Sequence, residues 1–278
     1  MHAKTSLKME KENKKSIGIF DSGFGGLTVV SAVNKLLPHE NILYFGDTAH
    51  VPYGSKSKNT VIKFSKEIAA FLLKKNVKLI IVACNTASAF ALDCLQKNLT
   101  IPVIGVIHPG AKAAAASTKN KKIGVIGTEG TIKSGSYSKT IKKLLRASVF
   151  EQACPLFVPL VEEGWNNNAI TKKIAEIYLS PLAGAGIDTL VLGCTHYPLL
   201  KNVIKKIAGK KIKLIDSADA TAEEVKNTLT LKNLFNKQNK KSKIEFFVSD
   251  NPEKFKKIGG NFLKNEIGKV AKIDLEKI

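Results

Sequence analysis

The chain has 278 residues, and 44% of them are hydrophobic, so it can form one large domain or two ordinary ones with sizeable cores. Its formal net charge is +21, but the lysines are scattered without a nucleic-acid-binding motif, so we interpret them as a solvated surface and expect no nucleic-acid partner. No apolar run approaches the ~18 residues of a membrane span, so we expect no membrane contact. The N-terminus has no signal segment, and the four cysteines include no CxxC pair. We therefore expect a cytoplasmic protein with reduced thiols.

Strand-like and helix-like patterns alternate along the first half of the chain, which predicts βαβ units and a mostly parallel sheet. Residues 1–15 are predicted to form a disordered tail. Short apolar, β-branched runs predict strands at Ile17–Phe20, Ile42–Phe45, Leu79–Ala83 and Val103–Val106. Helices are predicted at Leu27–Leu36, Val61–Lys74 and Ala87–Leu95, and Pro109-Gly110 is interpreted as part of the passage to the second half.

The second half repeats this alternation. Strands are predicted at Ile123–Ile126, Leu156–Val158, Leu190–Leu192 and Ile212–Ile215, with helices at Ser136–Ala147, Thr171–Leu179 and Leu199–Ala208. After Asp216 come a predicted helix, a lysine-rich linker, a strand (Ile244–Val248), a helix (Pro252–Phe262) and a last short strand (Val270–Ile273). We expect this C-terminal part to return to the sheet of the first half.

An internal repeat indicates the architecture. The strand and turn at Ile17–Gly23 resemble those at Ile123–Gly130, and each is followed later by a strand that ends in a cysteine. We therefore predict an α/β fold of two similar, pseudo-symmetric lobes with mostly parallel sheets and an active site in the cleft between them. The first α/β domain is predicted to be discontinuous, comprising residues 16–106 and 217–278, and the second domain comprises residues 107–216.

The two cysteines of this repeat are the main candidates for catalysis. Cys84 follows the predicted strand Leu79–Ala83, Cys194 follows the predicted strand Leu190–Leu192 after one glycine, and a helix is predicted after each. Ligands bind at the carboxyl ends of strands in open α/β sheets, and a helix N-terminus favours a thiolate. Two such thiols suit a reaction that needs one base and one acid. We interpret the remaining cysteines, Cys94 and Cys154, as small buried hydrophobic residues.

Other chemistries are possible for these cysteines. Cys194 and His196 offer two zinc ligands, but the usual paired-cysteine spacing is missing, and we predict no metal site. Thiol–disulfide exchange between Cys84 and Cys194 lacks the usual local motif. A Cys–His hydrolase needs only one thiolate. A basic binding protein without catalysis would not need two symmetric thiols.

Polar motifs follow other predicted strands. Asp21 and Ser22 begin a glycine-rich turn, which is typical of a helix N-cap and lacks the phosphate-loop pattern. Tyr53 and Gly54 lie in a long loop, where a plain turn and a binding loop are equally compatible with the pattern. Glu162-Glu163 follows the apolar run that includes the predicted strand Leu156–Val158, and one of these carboxylates is a candidate counterpart of Asp21.

Five motifs in this order resemble those of the glutamate racemases, in the aspartate/glutamate racemase superfamily. They are Asp-Ser-Gly-Phe-Gly-Gly-Leu-Thr, Pro-Tyr-Gly, Ala-Cys-Asn-Thr-Ala-Ser, Val-Pro-Leu-Val-Glu-Glu-Gly and Gly-Cys-Thr-His-Tyr-Pro-Leu. The resemblance runs from about Ile17 to Asp216. It implies interconversion of L- and D-glutamate without a cofactor, with D-glutamate supplied to peptidoglycan synthesis and glutamate as the small-molecule partner. Aspartate or hydantoin racemisation is the alternative within the superfamily, and a homodimer is expected.

The resemblance also implies roles for individual residues. Cys84 and Cys194 are the implied acid/base pair, with Asp21 near the first thiol and Glu162 and His196 near the second. The implied substrate-binding residues are Asp21, Ser22, Tyr53, Gly54, Asn85, Thr86, Thr195 and His196. A carboxylate next to a thiolate raises the thiol pKa, so Asp21 and Glu162 act either as relay bases or as partners of the substrate ammonium.

Overall fold

The computed structural model describes residues 12–238, 240–263 and 265–277. In the first part of the chain the elements are β1 (Ile17–Asp21), α1 (Leu27–Leu36), β2 (Ile42–Gly46), α2 (Lys58–Lys74), β3 (Leu79–Val82), α3 (Asn85–Asn98), β4 (Val103–Gly105) and α4 (Ile107–Ser117). In the middle part they are β5 (Lys122–Gly127), α5 (Glu129–Ser134), α6 (Ser136–Leu144), β6 (Ser148–Ala153), α7 (Phe157–Glu162), α8 (Ala169–Gly184), β7 (Thr189–Gly193), α9 (Lys201–Ala208) and β8 (Lys213–Asp216). The last part contains α10 (Ser217–Leu231), β9 (Ile244–Val248), α11 (Pro252–Leu263) and β10 (Val270–Lys272).

The first lobe is built on a parallel sheet that, in the described part of the chain, has the strand order β10-β9-β2-β1-β3-β4. β1, β2 and β3 are buried along their whole length, as expected for strands covered by helices on both faces. Side chains of β1 alternate between the two faces, with Ile17 and Ile19 in one apolar cluster and Phe20 in the other. The C-terminal strands β9 and β10 extend this sheet beyond β2.

The second lobe has a smaller parallel sheet with the order β6-β5-β7-β8 among the described residues. Its order repeats the order β2-β1-β3-β4 of the first lobe, with β5 in the place of β1 and β7 in the place of β3. The predicted fold class, two similar α/β lobes with parallel sheets, is therefore confirmed. None of the described helices is long and apolar enough to cross a membrane.

The strand predicted at Leu156–Val158 is wrong. The strand in this part of the chain is β6, which lies at one edge of the second sheet. The chain then turns at Cys154, and α7 begins at Phe157. Phe157, Leu160 and Val161 are buried at helical spacing, so the apolar run that includes the predicted strand has the period of a helix. β6 has a weak apolar pattern because it is a half-exposed edge strand.

Helix boundaries differ from the prediction on both sides of β5. α6 ends at Leu144 rather than at Ala147, because the chain extends there toward β6. α4 contains Pro109 and Gly110, which were interpreted as a passage between elements. Proline is tolerated at this position because the first N–H groups of a helix have no partner within the helix. Gly110 lets α4 pass close to Tyr137, whose hydroxyl would lie 3.2 Å from an added Cβ.

Part of the predicted disordered tail is ordered. Residues 1–11 lie outside the described residues, but Glu12 and Asn13 are helical and Asn13 is buried. The carbonyl oxygen of Asn13 accepts a hydrogen bond from Nζ of the buried Lys78 at 2.7 Å. The prediction is therefore wrong for residues 12–15, because a distant buried lysine binds the backbone there.

Candidate active site

Cys84 lies between β3 and α3, as the sequence predicts. It is the N-cap residue of α3, and its Sγ accepts a hydrogen bond from the backbone N–H of Ala87 at 3.4 Å. The Ser22 hydroxyl lies 3.7 Å from the same sulfur. The thiol therefore sits at the carboxyl edge of the first sheet and at the positive end of a helix dipole.

Cys194 follows β7 but does not cap an α-helix. The chain after it forms a 3₁₀ helix over Tyr197–Leu200, and α9 begins only at Lys201, so the predicted helix N-terminus at this thiol is wrong. A histidine lies beside the thiol instead. His196 Nδ1 lies 3.9 Å from the Cys194 Sγ, and Nε2 of the same ring lies 3.1 Å from Oε1 of Glu162.

The structure distinguishes the two adjacent glutamates. Glu162 is the last residue of α7 and contacts His196, whereas Glu163 follows the helix and is exposed. Burial lowers the pKa of His196, but hydrogen bonds to Cys194 and Glu162 outweigh burial and raise the pKa to about 10. His196 is therefore a cation at neutral pH, held between a thiol and a carboxylate.

The surroundings of Cys84 have the opposite charge. Burial, followed by the negative charge of Asp21, raises the pKa of the Cys84 thiol to about 12, against a smaller lowering by the Ala87 N–H. Asp21 is itself fully buried at the end of β1, and its Oδ1 accepts a hydrogen bond from the Gly23 N–H at 2.9 Å. Burial raises the pKa of Asp21, and the positive charge of His196 opposes this increase.

Both thiols line one small cavity between the lobes. Its volume is about 20 Å³, which is room for about one water molecule. The sequence-predicted residues that line it are Ser22, Tyr53, Gly54, Cys84, Asn85, Thr86, Cys194, Thr195 and His196. Glu162 lines an adjacent cavity of about 220 Å³, which shares Pro52, Gly54, Thr128 and Val158 with the first. Asp21 lies behind the wall, where the Thr195 hydroxyl donates to its Oδ2 at 3.3 Å.

Sequence reasoning missed Thr128 as a residue of this cavity. Thr128 is the N-cap residue of α5, and its hydroxyl lies 2.8 Å from the hydroxyl of Thr86 in the other lobe. The internal repeat contains a signal for it, because Thr128 follows β5 as Ser22 follows β1. Ser22 and Thr128 thus occupy equivalent positions on opposite sides of the cavity.

The Tyr53 loop is held from behind by a carboxylate that the sequence did not single out. The buried Asp47 accepts hydrogen bonds from the Tyr53 hydroxyl and, at 2.7 Å, from the Ser249 hydroxyl, and His50 lies 2.9 Å from it. Within the described ranges, no group of three or more His, Cys, Asp and Glu side chains is placed to hold a metal ion. Cys84, Cys94, Cys154 and Cys194 are all free thiols.

Comparisons with known proteins identify the family of this chain. The model of the family described as Asp/Glu/Hydantoin racemase matches residues 26–225. The glutamate racemase of Geobacter metallireducens is 53% identical over 263 residues, which cover 94% of this chain and 97% of that protein. The chain belongs to the glutamate racemase family. It is therefore an enzyme of the isomerase class, which excludes the alternative of a binding protein without catalysis.

Solved structures of the family share the two-lobed fold. The glutamate racemase isoform RacE1 of Bacillus anthracis superposes with a TM-score of 0.91 at 43% identity, covering 94% of this chain and 98% of that one. The glutamate racemase of Francisella tularensis, solved in complex with D-glutamate, has a TM-score of 0.90 at 40% identity and covers 96% of this chain and 100% of that one.

Proposed function

We propose that the protein interconverts L- and D-glutamate by proton transfer at Cα between Cys84 and Cys194, without a cofactor. The observation that carries this proposal is that two free thiols from opposite lobes line the same cavity. Racemisation removes a proton from one face of Cα and delivers one to the other face. A pair of opposed thiols suits this exchange, and the glutamate racemases related to this chain favour glutamate as the substrate.

The proposed exchange balances protons at every step. One cysteine, as a thiolate, takes the Cα proton and becomes a thiol, while the opposite thiol protonates the carbanion and becomes a thiolate. Asp21 favours the thiol form of Cys84, whereas the His196 ring, in contact with Glu162, lies 3.9 Å from the sulfur of Cys194. Asp21, Glu162 and His196 complete the proposed catalytic set, with the carboxylate of Asp21 near Cys84 and the imidazole of His196 near Cys194.

The other sequence-predicted residues that line the cavity form the proposed substrate site. They are Ser22, Tyr53, Gly54, Asn85, Thr86, Thr195 and His196, with Asp21 behind them. Hydroxyls, an amide and the N-terminus of α3 suit the carboxylates of glutamate. The cavity of about 20 Å³ is far too small for a glutamate molecule, so substrate entry requires the walls of the cleft to move apart.

Removal of either thiol tests the proposal. We expect Cys84→Ala and Cys194→Ala each to lower the rate of racemisation of L-glutamate by at least ~10²-fold, since each removes a general acid/base, while the fold persists. Circular dichroism of glutamate measures the rate, and circular dichroism of the protein checks the fold. Cys94→Ala is the matched control, because Cys94 lies on α3 outside the cavity. Turnover near that of the control in either variant would refute the two-thiol mechanism.

The aspartate and hydantoin racemases are the alternative within the superfamily. The same assay with L-aspartate and with a 5-substituted hydantoin separates them from glutamate racemisation. The identity to glutamate racemases over almost the whole chain favours glutamate. Faster turnover of either competitor than of L-glutamate would overturn this choice.

We further propose that the enzyme works in the cytoplasm, where thiols stay reduced, and supplies D-glutamate for peptidoglycan. Cells depleted of the protein are then expected to require external D-glutamate.

A homodimer is proposed because Trp165, Ile170 and Ile177 expose large apolar side chains on and before α8. Light scattering that gives the mass of a single chain would contradict the dimer.

A further inference from the structure

A tyrosine outside the cavity reaches across the cleft to a residue of the proposed substrate site. Tyr137 lies on α6 of the second lobe and is fully buried. Its hydroxyl donates a hydrogen bond to Oδ1 of Asn85 in the first lobe at 2.8 Å. The contact therefore joins α6 to the first residue of α3, next to Cys84.

The hydroxyl of Tyr137 is held from a third element. Burial raises the pKa of Tyr137, and a hydrogen bond with Ser217, the first residue of α10, opposes this increase. Ser217 and Asn85 thus contact the Tyr137 hydroxyl from two different elements, and the phenol proton is donated to Oδ1 of Asn85.

The other end of the Asn85 amide lacks a partner among the described residues. Asn85 is only 2% exposed and lines the thiol cavity, and its Nδ2 is buried without a hydrogen bond. A buried donor that makes no hydrogen bond destabilises the fold. Such a donor is explained when a bound carboxylate accepts from it, and this requires the amide to keep its NH₂ group turned toward the cavity.

We propose that Tyr137 is a positioning residue: by donating to Oδ1 it locks the Asn85 amide with Nδ2 facing the cavity, ready for a substrate carboxylate. This inference rests on the proposed function of the cavity. It gives α6 and α10 a part in substrate binding although neither element touches the cavity. Because Tyr137 and Asn85 belong to different lobes, the Asn85 amide is held in this orientation only when the two lobes are packed together.

Tyr137→Phe tests this role, because it removes the hydroxyl and keeps the ring. The Asn85 amide is then free to turn, and we expect the KM for L-glutamate to rise by about tenfold or more, with a smaller effect on kcat. Tyr197→Phe is the matched control, since it removes another buried tyrosine hydroxyl of the same lobe, one that donates to the carbonyl oxygen of Cys154 at 2.9 Å. Its KM should stay close to that of the wild-type enzyme.

A double-mutant cycle separates positioning from general structural damage. If Tyr137 acts through Asn85, Tyr137→Phe raises KM in the wild-type background but has no further effect in the Asn85→Ala background. A rise in KM that is the same in both backgrounds, or an unchanged KM in Tyr137→Phe, overturns the inference. If Tyr137→Phe does not fold, the cycle is run with Tyr137→Met, which also lacks the hydroxyl, and the same outcomes decide.

The controls keep this test separate from the proposed function. Wild-type enzyme and Tyr197→Phe racemise glutamate whether or not Tyr137 positions the amide. Absence of racemisation in the wild-type protein would refute the proposed function, whereas normal racemisation without coupling between Tyr137 and Asn85 would refute the positioning role alone.

Discussion

At the scale of single residues, the two thiols differ in the charge that lies next to them. Burial and, next, the negative charge of Asp21 disfavour the ionised form of Cys84, while Nδ1 of His196 lies 3.9 Å from the sulfur of Cys194. The two sulfurs therefore lie in different electrostatic surroundings. Against the effect of burial, hydrogen bonds with Cys194 and, next, with Glu162 raise the pKa of the buried His196 imidazole.

Glu162→Gln is expected to change how stability depends on pH. The pKa of His196 is about 10 in the folded protein and ~6.5 in an unfolded chain, so the folded state retains a proton that the unfolded state has lost. The stability from this proton is complete below pH ~6.5 and is lost as the pH rises through about 10. In Glu162→Gln the pKa of His196 is lower, so the free energy of unfolding should fall less across this range.

Urea unfolding at several pH values between about 7 and 10 measures this slope. Glu163→Gln is the control, since it removes the adjacent carboxylate, which is exposed. Identical slopes in the two variants would show that Glu162 does not raise the pKa of His196.

At the scale of the elements, close contacts between the lobes shape the site. The turn before α1 passes so near the segment after β7 that a Cβ on Gly25 would lie 2.6 Å from Nδ1 of His196. A Cβ on Gly54 would likewise lie 2.6 Å from the Cβ of Thr128. Neither glycine has a positive φ angle, so the backbone conformation does not require glycine at these positions. The close approach of the two lobes requires it instead.

Gly25→Ala is expected to push the His196 segment away from the first lobe. Misplacement of catalytic groups by about 1 Å can cost ~10²-fold in rate, so we expect kcat/KM to fall by about that factor. Gly184→Ala, at the end of α8 where an added Cβ meets nothing within 4 Å, should leave the rate unchanged and stabilise the protein slightly. Equal activity of the two variants, measured by circular dichroism of glutamate, would show that the contact tolerates a methyl group.

At the scale of the whole molecule, a buried ion pair joins segments that are distant in the sequence. Lys78 Nζ lies 2.5 Å from Oε2 of Glu40 and donates to the carbonyl oxygens of Asn13 and Leu234 at 2.7 and 2.8 Å. The other carboxylate oxygen of Glu40 accepts from the backbone N–H of Asn236 at 2.7 Å. The pair therefore ties the start of β3 to the segment before β1 and to the chain after α10.

Lys78→Met is expected to lower the free energy of unfolding by ~3–5 kcal/mol, because it leaves the carboxylate of Glu40 buried without its counterion. The double variant Lys78→Met/Glu40→Met should lose less than the sum of the single variants, since no isolated charge remains. Urea denaturation measures both. Lys173→Met, which breaks an exposed pair with Glu176, should change the free energy by less than ~1 kcal/mol. A loss of less than ~1 kcal/mol for Lys78→Met would show that the buried pair of Lys78 and Glu40 does not stabilise the fold.

The sequence by itself determined the architecture and the two candidate sulfurs. A strand and the residues that follow it are adjacent along the chain, so the pattern at Leu79–Cys84, and its repeat at Thr189–Cys194, is enough to place both thiols at the carboxyl edges of parallel strands. The repeat of β1 as β5 likewise predicts two similar lobes, because each lobe forms its sheet from its own βαβ units.

Only the tertiary structure decided which side chains meet at the site. Glu162 rather than Glu163 reaches His196 because α7 is a helix that turns one of two adjacent carboxylates inward, and sequence reasoning had placed a strand in the run before them. Contacts such as Tyr137 with Asn85 join residues from different lobes. Their geometry depends on how α10 packs between α1 and α4, and local periodicity carries no information about such long-range packing.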